Sequence, residues 1–282
     1  MSSGGTSPSD VLRLWGESAR YWEKYSESIA AMFAPISEAM IEDARILEGQ
    51  LVLDVAGGAG DPSLAIARVC GPSGWVLNTD AIWEMVALAR RRAHGEGLSN
   101  LHFAQCLGDA LPFGTNSFEA VVCRLGVMFF PDPIVSIREM LRVLKPGGRL
   151  SLAIWSGIEG NPFFSLVPSI LARYLLMPPV DPDAPAAFRF AERGKLAALV
   201  KMAGATGVRE RVLEFRIEAP VSLRDFWTLR CEMSETIREK TKQLSPASLI
   251  ALGQEVQEAA RGFFPKDRMS FPAQSLLVTG LK

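Results

Sequence analysis

The sequence predicts an α/β fold, a seven-stranded and mostly parallel doubly wound sheet with helices on both faces. Three observations carry that expectation. Short β-rich apolar runs alternate with helical stretches in units of about thirty residues. A glycine loop, Gly57-Gly58-Ala59-Gly60, follows the first run directly, where a strand must turn sharply into a helix. And 282 residues, 48% of them apolar, can bury roughly three quarters of the surface the unfolded chain exposes.

The elements follow in chain order. Residues 8–48 read as helices, because Ser7-Pro8 is a helix start and Leu14, Tyr21 and Tyr25 recur at helical spacing. At Leu51 the period changes. Runs at 51–55, 75–79, 101–106, 119–124 and 149–155 read as strands, with helices near 62–70, 82–93 and 133–144 between them. Residues 162–185 then hold six of the 18 prolines, which suits a lid hung on a regular sheet. A helix at 196–202, a strand at 208–217, a helical insertion at 222–262 and a final antiparallel strand at 275–281 complete the chain. This divides it into an N-terminal arm (1–48), a core (49–156), a lid (157–190), a core helix and strand (191–221), a helical cap (222–264) and a closing strand (265–282).

Charge and cysteines narrow the function. With 30 basic and 31 acidic residues the formal net charge is −1, so no global field exists to hold nucleic acid or an anionic membrane. The one basic run, Arg90-Arg91-Arg92, ends a helical pattern and reads as a solvated helix terminus. Cys70, Cys106, Cys123 and Cys231 are scattered without metal-ligand spacing, which suits reduced thiols in a cytoplasmic protein that needs no metal. The polar N-terminus lacks a secretory pattern, and no apolar run reaches the 18 or so residues of a membrane span. A small-molecule acceptor is the expected partner, with no nucleic acid and no membrane span. The oligomeric state stays open, a homodimer included.

In open α/β sheets, ligands bind beyond the carboxyl ends of the strands near the switch in strand order. There the sequence places Asp54 and the glycine loop, then Asp80, Gly108-Asp109-Ala110 and Cys123-Arg124-Leu125. Asp61-Pro62 reads as an N-cap carboxylate and first-turn proline. That carboxylate would repel a pyrophosphate from the helix end. A crevice ringed by Asp54, Asp61, Asp80 and Asp109 suits hydroxyls, amines and positive charge instead, as in S-adenosylmethionine.

These residues carry a resemblance. The run from Leu51 to Asp61 resembles the first motif of class I S-adenosylmethionine-dependent methyltransferases, and is especially similar to the ubiquinone/menaquinone-biosynthesis C-methyltransferases. The likeness continues through Asn78-Thr79-Asp80, the run from Gly108 to Phe113, the run from Asn116 to Glu119, and the run from Arg138 to Gly148. It implies a Rossmann-like sheet with a helical cap built from the N-terminal arm and the C-terminal insertions. It also implies that Asp80 binds ribose hydroxyls and that Asp109, with the Ala110 amide, holds adenine. Gly58, Ala59 and Gly60 would face the methionine portion. Ala56, Ala81 and Arg124 join them as cofactor-binding positions, Ala56 standing where many methyltransferases have glycine.

Methyl transfer is an in-line displacement that depends on positioning and needs a base only when the nucleophile arrives protonated. His94 ends a helix and His102 starts a strand at the wrong edge, so both read as surface residues. Tyr21, Tyr25 and Arg124 are therefore the catalytic candidates: the tyrosines share a helix face, and Arg124 can stabilise an enolate or phenolate. Packing of the arm is the other reading of the tyrosines, and an ion pair that of Arg124. The expected reaction is methyl transfer to carbon or oxygen of a small, largely apolar acceptor. Phe163, Phe164, Tyr174, Phe226, Trp227 and Met233 suggest an aromatic, quinone or polyketide-like one. The alternatives are a non-methylating S-adenosylmethionine-binding scaffold and a nicotinamide-dependent oxidoreductase.

Overall fold

The computed structural model describes residues 8–176 and 181–282, so four residues of the expected lid lie outside it. Two helices form the arm, α1 (Pro8–Lys24) and α2 (Ser26–Asp43). Five parallel strands follow: β1 (Leu51–Val55), β2 (Trp75–Asp80), β3 (Leu101–Gln105), β4 (Phe118–Arg124) and β5 (Leu144–Trp155). Between them run α3 (Ser63–Cys70), α4 (Trp83–Gly95) and α5 (Pro133–Val143). Then come α6 (Pro162–Leu171), α7 (Lys195–Met202), β6 (Thr206–Ala219), α8 (Leu223–Met233), α9 (Glu235–Thr241), α10 (Pro246–Ala260) and β7 (Met269–Leu281).

The sheet order is β3-β2-β1-β4-β5-β7-β6, with β7 antiparallel to both neighbours. The central strands are apolar along their length because helices cover both faces. Val52, Leu53, Val121, Val122, Leu150 and Leu152 are all fully buried. Strand order reverses between β1 and β4, and that switch point opens the crevice.

Local signals set the helix starts. Asp132 accepts hydrogen bonds from the Ile134 and Val135 amides, with Pro133 in the first turn of α5. Ser222, Ser234 and Ser245 cap α8, α9 and α10 in the same way, satisfying amides that the helix cannot.

Three elements depart from the sequence reading. β6 and β7 are longer than expected, their pairing running from Thr206 opposite Leu281 to Ala219 opposite Met269. Pro272 sits within that ribbon opposite Arg216. The proline-rich segment opens with a helix, α6, holding Pro162 in its first turn and Pro168 inside. Several aromatics assigned to an acceptor build the interior of the cap instead: Phe163 and Phe226 are fully buried against Phe271.

The candidate active site

The crevice is a cavity of about 460 Å³ between the carboxyl ends of β1, β2 and β4 and the arm. Its floor is the glycine turn. Gly57 is required by close approach, since a Cβ there would lie 2.2 Å from Asn78 Nδ2 and 2.6 Å from Asp54 Oδ2. Gly58 adopts a left-handed φ of 52°, and a Cβ on it would meet nothing within 4 Å, so it faces open space. Ala56 (φ 56°) and Leu125 (φ 60°) are left-handed as well. These non-glycine residues end the two strands flanking the switch point, where strained backbone commonly marks function. Gly126 makes room for the Ala56 methyl: a Cβ on Gly126 would lie 2.7 Å from it.

The four acids separate into different roles. Asp80 lines the cavity, its two oxygens accepting the Gly58 amide (3.0 Å) and the Ile82 amide (2.9 Å). Burial raises its pKa, opposed by the hydrogen bonds from the Ile82, Gly58 and Ala81 amides. Asp109 and Ala81 also line the cavity.

Asp54 does not. It is fully buried beneath the turn, where Oδ2 accepts the Ser63 hydroxyl at 2.6 Å and Oδ1 has no partner. Burial pushes its pKa up to about 7 against the Ser63 hydrogen bond and the charge of Arg124.

Asp61 lines the cavity but caps no helix. The N-cap of α3 is Pro62, without a side-chain cap, and Asp61 instead pairs with Arg92 at 2.7 Å. The same guanidinium donates to the Ala59 carbonyl at 2.6 Å. Arg92 therefore braces the glycine turn and does not end a solvated helix, and it neutralises the charge on which the argument against a pyrophosphate rested.

Ala56, Gly58, Ala59 and Arg124 join Asp80, Ala81 and Asp109 around the cavity. Gly60 does not: a Cβ on it would lie 3.3 Å from Ala89 and Leu64, so it serves packing against α4 and α3. Ala110 lies outside the lining too, its amide already donating to Leu107.

Arg124 is buried at the end of β4 and donates from Nη1 to Ser37 Oγ at 2.8 Å and to the Phe33 carbonyl at 3.4 Å. It makes no ion pair among the described residues. Burial lowers its pKa, and the charges of Asp61 and Asp54 partly restore it.

The arm corrects the tyrosine assignment. Tyr21 and Tyr25 do share a face, but that face docks on the cap and neither residue lines the cavity. Tyr25 donates to Glu232 Oε2 at 2.6 Å, and burial followed by that hydrogen bond raises its phenol further above 10.0. Arg238 lies over the Tyr21 ring at 4.7 Å. Trp15 and Trp22 face the cavity with Leu12 and Phe33. The Trp15 ring meets Trp22 at 6.1 Å and Phe129 at 5.3 Å. Their seven-residue spacing, two helical turns, was the available signal. His94 and His102 are exposed, as expected. No helix among the described residues is long and apolar enough to cross a membrane.

A sheet of this order, with a glycine turn at the switch point and an acid ending β2, defines the Rossmann-like fold of the S-adenosylmethionine-dependent methyltransferases. The model of the ubiE/COQ5 methyltransferase family matches residues 36–176, and the chain belongs to that family. It is 40% identical over 111 residues to a ubiquinone/menaquinone biosynthesis C-methyltransferase of Cellvibrio japonicus, covering 39% of this chain and 45% of that one. The chain spans about half the length of the curated relatives it matches.

Among solved structures it is similar to the YcgJ protein from Bacillus subtilis, with a TM-score of 0.57 and 22% identity over 87% of this chain and 97% of that one. A putative methyltransferase from Bacillus halodurans follows, with a TM-score of 0.55 and 21% identity over 87% and 98%. These two likenesses bear on the fold.

Proposed function

We propose that the protein binds S-adenosylmethionine in the crevice and transfers its methyl group to carbon or oxygen of a small, largely apolar acceptor. The observation that carries the reading is the floor of the cavity. Gly58 leaves open space above the turn, and Asp80 spends one lone pair of each oxygen on backbone amides. A carboxylate has about four acceptor sites, so capacity remains for a ribose hydroxyl. The exposed surface of the turn would take the methionine portion, with Asp109, Ala81 and Met85 toward adenine.

Bound there, S-adenosylmethionine supplies an electrophilic methyl carbon on a sulfonium. The chain supplies position and dryness. Trp15, Trp22 and Phe129 cover the cavity, excluding water and restricting the acceptor's approach; such positioning is worth several kcal/mol. Arg124, without a carboxylate partner among the described residues, would stabilise negative charge on an enolate or phenolate. The relatives named C-methyltransferases support carbon as the attacked atom.

Calorimetry with S-adenosylhomocysteine and with NAD tests the cofactor: tight binding of the first and weak binding of the second is expected, and the reverse order would sink the assignment. Incubation with a panel of phenols, quinols and β-diketones, read by mass spectrometry, should yield a methylated product together with S-adenosylhomocysteine. Bound cofactor that is never consumed would favour the scaffold reading.

A further inference from the structure

Arg124 is the one cation among the described residues that line the cavity. It is 9% exposed, and its protein partners take up a single nitrogen: Nη1 serves both Ser37 Oγ and the Phe33 carbonyl. Nε and Nη2 donate to nothing among the described residues, and neither is sealed from solvent. Those two nitrogens form one edge of the planar guanidinium, a fork of two parallel N–H bonds. Because the residue lines the cavity, that edge is open to it. Arg142 shows what such an edge takes when a partner is present: its Nε and Nη2 grip the two oxygens of Glu139 at 2.7 and 2.8 Å.

The surroundings define the rest of the ligand. The Phe33 ring lies 5.8 Å from the Arg124 guanidinium, and Trp22, Phe129, Phe130 and Pro185 extend an apolar wall, where a charged pair is stronger than in water. The acids of the wall are engaged: Asp61 pairs with Arg92, Asp80 accepts the Gly58 and Ile82 amides, and Asp109 is proposed above for adenine. Burial raises the pKa of the Cys106 thiol, and no histidine or tyrosine lines the cavity among the described residues. The site is therefore poor in bases and holds one open cationic fork.

On the basis of the methyltransferase reading, we infer that Arg124 selects an acceptor presenting two oxygens that share one negative charge, the enolate of a β-dicarbonyl compound, and that the carbon between them is methylated. With both oxygens held by the fork, that carbon is the free nucleophile. Its electron pair forms the new C–C bond, the broken C–S bond leaves its pair on sulfur, and the enolate and sulfonium charges cancel. The enolate's proton has already gone to water, so the transfer itself needs no base. A simple phenolate, with one oxygen, leaves half of the fork unfilled.

The test titrates the full chain, saturated with S-adenosylhomocysteine, with benzoylacetone at neutral pH. Its gem-dimethyl derivative, alkylated between the carbonyls and unable to form the enolate, is the control, and hydrocinnamate is the carboxylate probe. Benzoylacetone should bind at least about tenfold more tightly than the control, the scale of one charge-assisted contact. It should also show the ultraviolet band of its enolate at a pH where the free compound is un-ionised. Arg124→Met should erase the preference and the band while leaving S-adenosylhomocysteine affinity unchanged. Arg124→Lys, a charge without the fork, should keep part of each. With S-adenosylmethionine, mass spectrometry should find the new methyl group on the carbon between the carbonyls.

Equal binding of benzoylacetone and its control, absence of the enolate band, a preference that survives Arg124→Met, methylation on oxygen, or tighter binding of hydrocinnamate overturns the inference. So does a loss of S-adenosylhomocysteine binding in folded Arg124→Met that decarboxylated S-adenosylhomocysteine does not suffer, since the fork would then belong to the cofactor's carboxylate. If Arg124→Met fails to fold, the wild-type preference and the band decide. Failure of the wild type to bind S-adenosylhomocysteine overturns the methyltransferase reading itself, and the two failures are thereby distinct.

Discussion

The floor of the crevice and the seam between arm and cap are built on opposite plans. In the floor, Asp54, Ser63, Asn78 and Asp80 lie within one strand–helix–strand unit and bond to one another or to the turn. Their surroundings are dry: Asp54, Ser63 and Asn78 are fully buried, and Asp54 Oδ1 and Asn78 Oδ1 lack partners. The seam joins residues some two hundred positions apart. Lys24 and Tyr25 both donate to Glu232 at 2.6 Å, and Arg238 donates to Ser18 Oγ at 3.3 Å. Lys24 remains half-exposed, so solvent screens the seam. The floor is thus a tight local motif in a low dielectric, while the seam is a set of long-range contacts partly screened by solvent.

The largest expected effect is on the floor, in its pH dependence. Burial raises the folded pKa of Asp54 from 3.8 to about 7, so the folded state holds this proton more tightly than the unfolded state. The resulting stabilisation is complete below pH 3.8 and is lost as pH rises through about 7. Asp80 shifts in the same direction. Asp54→Asn, which has no proton to lose, should gain on the wild type by a few kcal/mol between about pH 4 and about pH 8. Urea titrations at both ends of that range measure the difference. Identical pH dependence for the two proteins would show that solvent reaches Asp54 in the folded state.

Next comes Asp80→Ala. The carboxylate accepts the Gly58 amide of the turn and the Ile82 amide at the start of α4 and is proposed to hold the ribose, so S-adenosylhomocysteine affinity should fall by about 1.5–3 kcal/mol, with cooperative unfolding retained. Unchanged affinity in a folded variant would remove Asp80 from the site.

Gly57→Ala should follow at about 1–3 kcal/mol of folding stability, the cost of overpacking, because its Cβ would collide with Asn78 and Asp54. A melting temperature equal to wild type would mean that the turn shifts freely.

The smallest effect belongs to the seam. Tyr25→Phe deletes one hydrogen bond to Glu232, worth about 0.5–1.5 kcal/mol, and single-turnover methyl transfer should fall no more than about tenfold. Loss of a true base would cost on the order of 10²–10⁴, and a fall of that size would return Tyr25 to the catalytic machinery.

Much of the floor was legible because its residues are close in sequence. A strand followed by Gly57-Gly58-Ala59-Gly60, with Asp80 ending the next strand, leaves few ways to fold, and the cavity sits at that turn. Even there, the neighbours across the turn escaped a linear reading. Whether Asp61 capped α3 or met Arg92, 31 residues on, depended on how α4 packs, as did the inward turn of Gly60 against Ala89, while Asp54 turned inward onto Ser63 of α3. The arm was legible as helix, since helical spacing is local, but not in its orientation. Tyr21 and Tyr25 occupy one face and Trp15 and Trp22 another, and which one met the cavity was decided by Glu232 and Arg238 in the distant cap. The same holds for Arg230. That it lies on a helix follows from α8's own pattern and its Ser222 cap; that it is buried over Phe163 without an acceptor is a property of tertiary packing. Hydrogen-bonded turns and helix periods are written in neighbouring residues. Burial and charge pairing depend on which surfaces meet, and here those surfaces come from opposite ends of the chain.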